Sequence, residues 1–419
     1  MRIALIQAPF WRRAGGERQI LRLAIELQKL GHDPEIFTNA VNPDSYPEFF
    51  DKVKINLVPY PLTGKLPGSL APQIAVTKIS DTLSEELKQK KPLGIRKWLS
   101  ATIGRQYYTS EVPAMFQLGR KVPEGFDLIN NHNFPTEWAA YLAKNRLKVP
   151  VVWMCNEPPY WFFATEHRKG LLKINWPLFQ LIDKISVSYI DQIMVLSHVS
   201  ERYVKQAYNR TSKIVRTGVD AEAFHKASGT DLRRKYELET AFIILFVGGS
   251  RYAFRKDLIR ALQILSKKYD HVRLIIDTSR EKESLAKMSE ELGVKDKLLL
   301  IHSRTDADLA QVYATCDVFV YPAAASPWGL VVTEAMAAGK PVIVSKQVGT
   351  SEIISQNENG IIIETATPQE IASQIEYLIK NPKLRKKLGE NAYLYVRDNL
   401  SWEKYAKRVA QVFEETLRR

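Results

Sequence analysis

The chain has 419 residues, of which 45% are hydrophobic and 25% are charged, a balance that is typical of globular proteins and excludes a disordered one. This length is too great for one ordinary core and favours two domains of roughly 200 residues each. The 60 lysine and arginine residues against 46 aspartate and glutamate residues give a net charge of +14, which favours an anionic partner such as nucleic acid, an acidic membrane face or a phosphorylated substrate.

The two cysteines, Cys155 and Cys316, lie far apart in sequence, each within an apolar run. Two buried free thiols in a reducing compartment explain this pattern better than a disulfide. The N-terminal apolar run is too short for a secretory signal, and no run approaches the roughly 18 apolar residues of a membrane span. We therefore predict a cytoplasmic protein whose only membrane contact would be peripheral, on the inner face.

The first half of the chain alternates strand and helix patterns. RIALIQAP predicts a strand, and apolar residues recur at helical spacing from Ile20 to Leu30, before Gly31 closes the helix. The pair Gly15 and Gly16 before this helix is not a GxGxxG motif, and such a pair is most commonly a turn. Later strands and helices are predicted in the segments DPEIFTN, KINLVPYP, FDLINN, PTEWAAYLAKN, VPVVWMC, 171–189, QIMVLS and SERYVKQAY.

Basic and aromatic residues are interleaved between Tyr60 and Val122 on predicted helices, and the loop from Pro158 to Trp176 carries a longer aromatic run. Such surfaces could lie on anionic lipid headgroups, because cations are attracted to the lipid and aromatic rings settle at the interface. A solvated, partly core-facing set of elements explains the pattern equally well. Both interpretations stay open at this point.

A second series of strands and helices follows the polar segment KASGTDLRRKYEL. It begins with AFIILFVGG and continues through VRLIID, KLLLI, DVFVYP and PVIVS, with a short helix GLVVTEAMAAG that Gly339 would close. Strand and helix alternation in both halves predicts an α/β protein with parallel, right-handed, doubly wound sheets. The C-terminal segment SWEKYAKRVAQVFEETLRR is amphipathic.

Two cations, Arg251 and Lys256, follow the glycine-rich end of AFIILFVGG. In a doubly wound sheet, ligands bind just beyond the carboxyl ends of the strands. Arginine can bind a phosphate through two hydrogen bonds, and lysine contributes a point charge. The spacing alone is equally consistent with two surface cations in a lysine-rich protein.

Glu334 is the only charged residue in the apolar helix GLVVTEAMAAG, one turn past Gly329 and Leu330. The free amides at a helix start suit a phosphate, and a carboxylate can accept two hydrogen bonds from the paired hydroxyls of a ribose. An isolated glutamate is more commonly a solvated surface residue. The surrounding sequence decides between these readings.

The run SPWGLVVTEAMAAGKPVIVS, followed by VGTSEII and NENGIII, resembles the nucleotide-sugar site of retaining glycosyltransferases of family 4, which have the GT-B fold. That family usually shows Glu-Pro-Phe-Gly, with a second glutamate eight positions after the first. In this chain the second is Glu334, whereas Ser326 replaces the first. The resemblance implies two Rossmann-like domains facing a central cleft: residues 1–216 bind the acceptor, residues 217–400 bind the nucleotide sugar, and residues 401–419 form a helix that crosses back to the N-terminal domain.

The resemblance also assigns roles to particular residues. Arg251 and Lys256 match the pair that holds the donor diphosphate, and His132, in DLINNHNF, matches the second histidine of a motif beside the donor sugar. Asn130 occupies the position of the first histidine. The predicted catalytic set comprises His132, Arg251, Lys256 and Glu334. The predicted donor-binding set comprises Gly15, Gly16, Ser326, Gly329, Leu330 and Val331.

The implied activity is a retaining, hexosyltransferase-type reaction without cofactor or metal, from a UDP- or GDP-sugar to a glycan or lipid-linked acceptor at the cytoplasmic membrane face. Asp306 and Asp308 imitate a metal-binding Asp-x-Asp motif, but Thr305 three residues before Asp308 indicates a capped helix start instead. Because Ser326 replaces a family glutamate, the alternative is a non-catalytic sugar-nucleotide-binding partner subunit of a glycosyltransferase complex. A nucleic-acid partner is disfavoured because no recognised nucleic-acid motif occurs.

Overall fold

The computed structural model describes residues 1–10, 15–42, 45–58, 107–157, 172–248, 255–303 and 305–419. The chain separates into two compact units. Unit 1 comprises Met1–Val195, Glu201–Val215 and Ala406–Arg419, and unit 2 comprises Leu196–Ser200 and Arg216–Tyr405. Arg251 and most of the two basic and aromatic segments of the sequence lie outside the described residues.

Unit 1 is built on a parallel sheet of seven described strands, in the order β3-β2-β1-β4-β5-β6-β7. They are β1 (Arg2–Gln7), β2 (Asp33–Thr38), β3 (Lys54–Leu57), β4 (Leu128–His132), β5 (Val151–Met154), β6 (Gln192–Val195) and β7 (Lys213–Ile214). The helices that accompany them are α1 (Gly15–Lys29), α2 (Pro47–Phe50), α3 (Tyr107–Lys121), α4 (Thr136–Leu147), α5 (Leu172–Ser188) and α6 (His198–Tyr208).

Unit 2 has a second parallel sheet, in the order β10-β9-β8-β11-β12-β13. Its strands are β8 (Phe242–Val247), β9 (Val272–Asp277), β10 (Leu298–Ile301), β11 (Val318–Tyr321), β12 (Val342–Ser345) and β13 (Ile361–Ile363). The described helices of this half are α7 (Ala221–His225), α8 (Thr230–Lys235), α9 (Arg255–Ser266), α10 (Lys282–Glu291), α11 (Asp306–Thr315), α12 (Leu330–Ala337), α13 (Pro368–Lys380) and α14 (Pro382–Asn399). The last helix, α15 (Trp402–Leu417), begins in unit 2 and belongs to unit 1 from Ala406 onward.

The central strands β5, β8, β11 and β12 are buried along their whole length and are nearly continuous apolar runs, as expected of parallel strands covered on two faces. In β8, for example, Ile243, Leu245 and Phe246 are fully buried. Chain order reverses between β1 and β4 in unit 1, and between β8 and β11 in unit 2. In doubly wound sheets these reversal points are where ligands bind, beyond the carboxyl ends of the strands.

The predicted α/β class and its parallel, doubly wound sheets are confirmed. Gly339 has a positive φ of 70° just after α12, as predicted for a left-handed helix end, and Gly31, which was predicted to close α1, has a positive φ of 82°. Cys155 and Cys316 are both free and buried, also as predicted. No helix was predicted from the sequence in the stretch that forms α13 and α14. The polar segment KASGTDLRRKYEL contains the short helix α8, and the short helix α7 ends just before it.

Candidate functional site

The 326–329 loop joins β11 to α12 at the reversal point of unit 2. Gly329 immediately precedes α12 with a φ of 91°, a conformation that favours glycine. A Cβ atom there would lie 3.1 Å from Cγ1 of Val348, so the local packing also leaves little space for a side chain. The amides of Leu330 and Val331 therefore begin the helix directly at the carboxyl edge of the sheet.

Backbone hydrogen bonds attach this loop to the segment after β12. The amide of Gly349 donates to the carbonyl of Ser326 at 2.9 Å, and the amide of Thr350 donates to the carbonyl of Trp328 at 3.0 Å. Ser326 and Trp328 are both buried. The residue that replaces the family glutamate thus lies within a fixed loop.

Two serines hold the loop from its other side. The hydroxyls of Ser197 and Ser200 donate to the carbonyl of Pro327 at 2.5 and 3.0 Å, and both serines are buried. A Cβ atom at Gly349 would lie 2.1 Å from the same carbonyl oxygen, so only glycine fits there. Ser197 and Ser200 were not predicted from the sequence, because they lie about 130 positions from Pro327 in the chain.

Glu334 is buried on α12, with only 3% of its surface exposed. The hydroxyl of Tyr313, on α11, donates to its Oε2 at 2.9 Å. A buried carboxylate held by a donor is the opposite of the solvated surface residue that an isolated glutamate would commonly be. Glu334 is therefore held in a fixed position one turn from the free amides of α12.

Lys256 is the second residue of α9 and is exposed, whereas Arg255, the first residue, is 4% exposed and forms an ion pair with Glu281. The hydrogen bond from Arg255 holds the pKa of the Glu281 carboxyl below its usual value, and the charge of Lys256 contributes. Helix α9 follows β8 and α12 follows β11, its neighbour in the sheet. The starts of both helices therefore lie at the same edge of one sheet.

His132 ends β4 in unit 1, as predicted, and is fully buried. Its Nε2 lies 2.8 Å from Oδ1 of Asn130, whose amide nitrogen donates to the carbonyl of Val152. Nε2 therefore carries the proton, and Nδ1 holds a lone pair. Because burial lowers the pKa of His132 to about 3, the ring is uncharged at neutral pH.

Beyond His132 lies a group of uncharged amide side chains, which we call the carboxamide cluster: Gln7, Gln19, Asn133 and Asn156. Nδ2 of Asn133 donates to Gln7 at 3.2 Å, and Nδ2 of Asn156 donates to Oδ1 of Asn133 at 2.8 Å and also to Gln19. Among the described residues, no partner is placed for Nε2 of Gln19 or Oδ1 of Asn156, and both atoms are buried. The cluster can therefore still donate and accept hydrogen bonds.

Gly15 and Gly16 are the first two residues of α1. A Cβ atom at Gly16 would lie 2.8 Å from Nδ2 of Asn133. The glycine therefore permits close approach of α1 to the carboxamide cluster. Both glycines and His132 thus belong to the reversal point between β1 and β4.

A buried carboxyl group lies next to this region, in the first turn of α4. Burial raises the pKa of Glu137 well above its usual value, and the nearby Asp183 carboxyl raises it further. Asp183 accepts a hydrogen bond from the hydroxyl of Tyr208 at 2.8 Å. The folded protein therefore keeps a proton on Glu137 at pH values at which the same carboxyl group is already ionised in the unfolded chain.

We expect Glu137→Gln to raise the melting temperature at pH 8 and to change it little at pH 4.5. A raised carboxyl pKa means that folding stability falls as pH rises from the ordinary glutamate value through the raised one, and glutamine removes this loss. Thermal unfolding at both pH values measures the difference. The exposed Glu124→Gln is the control, and an equal gain for Glu137→Gln at the two pH values would contradict the prediction.

Within the described ranges, no group of three or more His, Cys, Asp or Glu side chains is placed to hold a metal ion. Thr305 and Asp308 form a capping box at the start of α11, as predicted, so the Asp-x-Asp sequence has a structural role. No helix among the residues of these ranges is long and apolar enough to cross a membrane.

Comparison with known sequences identifies the family. Residues 13–223 match Glycosyltransferase Family 4, and residues 229–395 match Glycosyl transferases group 1. The chain is a family 4 glycosyltransferase. The predicted family is confirmed, and the site described above belongs to a glycosyltransferase.

This glycosyltransferase has relatives along most of its length. An uncharacterized glycosyltransferase of Methanocaldococcus jannaschii is 25% identical over 317 residues, covering 71% of this chain and 77% of that protein. A D-inositol 3-phosphate glycosyltransferase of Corynebacterium kroppenstedtii is 24% identical over 447 residues, covering 100% of this chain and 89% of that protein.

Solved structures show the same fold. HepE of Anabaena, in complex with UDP-glucose, matches with a TM-score of 0.71 and 18% identity, covering 99% of this chain and 100% of that one. WaaG, a glycosyltransferase of lipopolysaccharide biosynthesis, matches with a TM-score of 0.67 and 17% identity, covering 98% and 99%. The GT-B fold with two Rossmann-like domains, predicted for this family 4 glycosyltransferase, is confirmed.

Proposed function

We propose that this glycosyltransferase transfers a hexose from a UDP- or GDP-sugar to a glycan or lipid-linked acceptor at the cytoplasmic face of a membrane, with retention of the anomeric configuration. One observation carries the donor half of the proposal. The free amides of Leu330 and Val331 and the buried carboxylate of Glu334 lie within one turn of the same helix, at the reversal point of the unit 2 sheet. That arrangement suits a phosphate next to a ribose.

The proposed chemistry places positive charge where negative charge develops. When the bond between the anomeric carbon and the diphosphate oxygen breaks, the electron pair moves onto the diphosphate. The oxygen of the acceptor hydroxyl forms the new bond, and its proton passes to the departing diphosphate. Lys256 and the α12 amides stabilise the developing charge. Arg251 is assigned to this group by resemblance alone and stays a prediction.

We propose that no metal ion or cofactor is needed, because the Lys256 ammonium group and the helix amides supply the positive charge. His132 has a different part in the proposal. As an uncharged ring with a lone pair on Nδ1, it can accept a hydrogen bond from a sugar hydroxyl. The carboxamide cluster can hydrogen-bond further hydroxyls, as amides both donate and accept, while Gly15 and Gly16 keep the helix start close to it.

UDP is the first donor nucleotide to consider, since related structures were solved with UDP, with UDP and glucose, and with UDP-glucose. Ser326 is shorter and carries one negative charge fewer than the family glutamate. This difference favours a donor sugar with different hydroxyl contacts from those of the family pattern. It also leaves the second candidate open: a sugar-nucleotide-binding partner subunit without activity of its own.

The two candidates are separated by incubating the full chain with a panel of UDP- and GDP-sugars, beginning with UDP-glucose, and measuring release of nucleoside diphosphate. We expect steady release with at least one donor, and a higher melting temperature with the matching nucleoside diphosphate. Binding without release for every donor, with and without glycan acceptors, would support the partner subunit. If no nucleotide binds, both candidates are wrong. Chelation with EDTA tests the metal-independent scheme and is expected to leave release unchanged.

A further inference from the structure

Helix α5 of unit 1 exposes an unusual amount of apolar surface. Leu181, Ile185 and Tyr189 have exposed fractions of 55%, 42% and 43%. Half of the large hydrophobic side chains that are exposed in the described part of the chain therefore lie on this helix or immediately after it. Single exposed apolar residues are ordinary on a protein surface, but a contiguous set indicates an interaction surface.

The spacing of these residues places them on one side of the helix. They recur every four positions, and Lys184 and Ser188, which share their side of the helix, are also exposed. The opposite side is buried, with Asp183 and Val187 in the interior. We call the exposed set Leu181, Lys184, Ile185, Ser188 and Tyr189 the α5 face. Its single charged side chain is a cation.

A second cation lies next to the α5 face. A hollow of about 270 Å³ is lined by Lys184, Ser188, Asn209 and Arg210, among others. The guanidinium of Arg210 donates to the carbonyls of Val187 and Ile190, at the C-terminal end of α5. These hydrogen bonds fix the position of the cation. An apolar strip with two cations beside a hollow combines contacts for lipid chains and for anionic headgroups.

We propose that the α5 face docks on an anionic lipid bilayer, with Leu181, Ile185 and Tyr189 at the level of the headgroups. Charge favours this occupant, because a second copy of a chain with a net charge of +14 would bring like charges together. The benefit of this docking rests on the proposed function, because an enzyme bound to the membrane meets a lipid-linked acceptor directly. The position of the docking site is inferred from the α5 face alone.

The test is binding of the full chain to vesicles, without donor or acceptor. Vesicles of phosphatidylcholine with 30% phosphatidylglycerol are compared with phosphatidylcholine alone in a sedimentation assay. We expect binding to the anionic vesicles only, weakening as salt is added. The double substitution Leu181→Glu with Ile185→Glu is expected to lower the partition coefficient at least tenfold, because it replaces apolar contacts with charges that the lipid repels.

The matched control is the double substitution Tyr377→Glu with Leu394→Glu, at two side chains of unit 2 that are each 42% exposed. It makes the same change in net charge and is expected to alter vesicle binding by less than twofold. Lys184→Gln is a milder second variant, expected to weaken binding severalfold. Melting temperatures of all variants establish that each is folded.

Three outcomes would overturn the proposal: no binding of the wild-type chain to anionic vesicles, equal losses in the α5 and control variants, or a dimer in solution that the α5 substitutions abolish. The last would assign the face to a second copy. Because vesicle binding is measured without turnover, a failure of the proposed function would appear in the nucleotide assays and leave this result unaffected.

Discussion

Lys256→Ala is expected to lower the rate of nucleoside diphosphate release by roughly 100- to 1,000-fold, the usual cost of removing one group that stabilises charge in a transition state. Lys256 is exposed at the second position of α9. The negative charge it offsets grows as the bond to the sugar breaks. The effect should therefore fall mainly on kcat, with a smaller change in the KM for the donor.

Lys383 offers a matched control for this measurement. It is also an exposed lysine at the second position of a helix of unit 2, in α14, and Lys383→Ala removes the same charge. It is expected to leave release within about twofold of wild type, because charge at a distance is screened by salt. Similar losses in both variants would mean that net charge, and not the position of Lys256, governs the rate.

Lys256→Arg separates charge from geometry at the same position. Arginine keeps the positive charge but distributes it over a planar group, so it is not equivalent to lysine as a point charge. We expect this variant to release nucleoside diphosphate at an intermediate rate. Full activity would indicate that only the charge matters at this position, and a loss equal to that of alanine would indicate a contact specific to the ammonium group.

Local features of this fold are predictable because they depend on neighbouring residues. The capping box of Thr305 and Asp308 and the left-handed Gly339 are each set within one turn of chain, and both appear as the sequence indicates. The alternation of strands and helices likewise predicts the parallel sheets, because the spacing of apolar residues differs between the two and buried elements are rich in apolar residues. The family motif adds the positions of Glu334 and Lys256.

Contacts between distant segments cannot be predicted from the local sequence in this way. Nothing near Ser197 or Ser200 indicates that both hydroxyls hold the carbonyl of Pro327, and nothing near Tyr313 indicates that it donates to Glu334. A buried hydrogen bond is decided by which groups the fold brings together, and one serine in a sequence looks like any other. The missed residues therefore share one property: each supports a recognised residue from another element.

The α5 face could not be predicted from the sequence either. A helix over 171–189 is predictable from its apolar content, but the content alone indicates burial of Leu181, Ile185 and Tyr189. Only the packing of unit 1 shows that the helix turns them outward and Asp183 inward. A buried carboxyl on the helix, with three exposed apolar residues on it or immediately after it, inverts the usual pattern, and that inversion indicates a partner.

Glu334→Gln is expected to weaken binding of the donor nucleotide by roughly 10- to 100-fold, since hydrogen bonds to a charged group are worth about 1.5–3 kcal/mol. Glutamine has nearly the same size and keeps an oxygen for the hydroxyl of Tyr313. Its amide nitrogen, however, cannot accept hydrogen bonds from a ribose. Calorimetric titration with UDP, or with GDP if the donor panel selects it, measures the change.

The ligand provides the decisive comparison for Glu334. If its carboxylate binds the ribose hydroxyls, wild-type protein should bind the 2′,3′-dideoxy nucleotide as weakly as Glu334→Gln binds the ordinary one. The variant, in turn, should hardly distinguish the two nucleotides, because the contact is already lost. Tyr313→Phe keeps the carboxylate and is expected to weaken binding less, by loosening the position of Glu334. If the variant discriminated between the two nucleotides as strongly as the wild type, Glu334 would not contact the ribose. The assignment of the α12 N-terminus as the donor site would then be wrong.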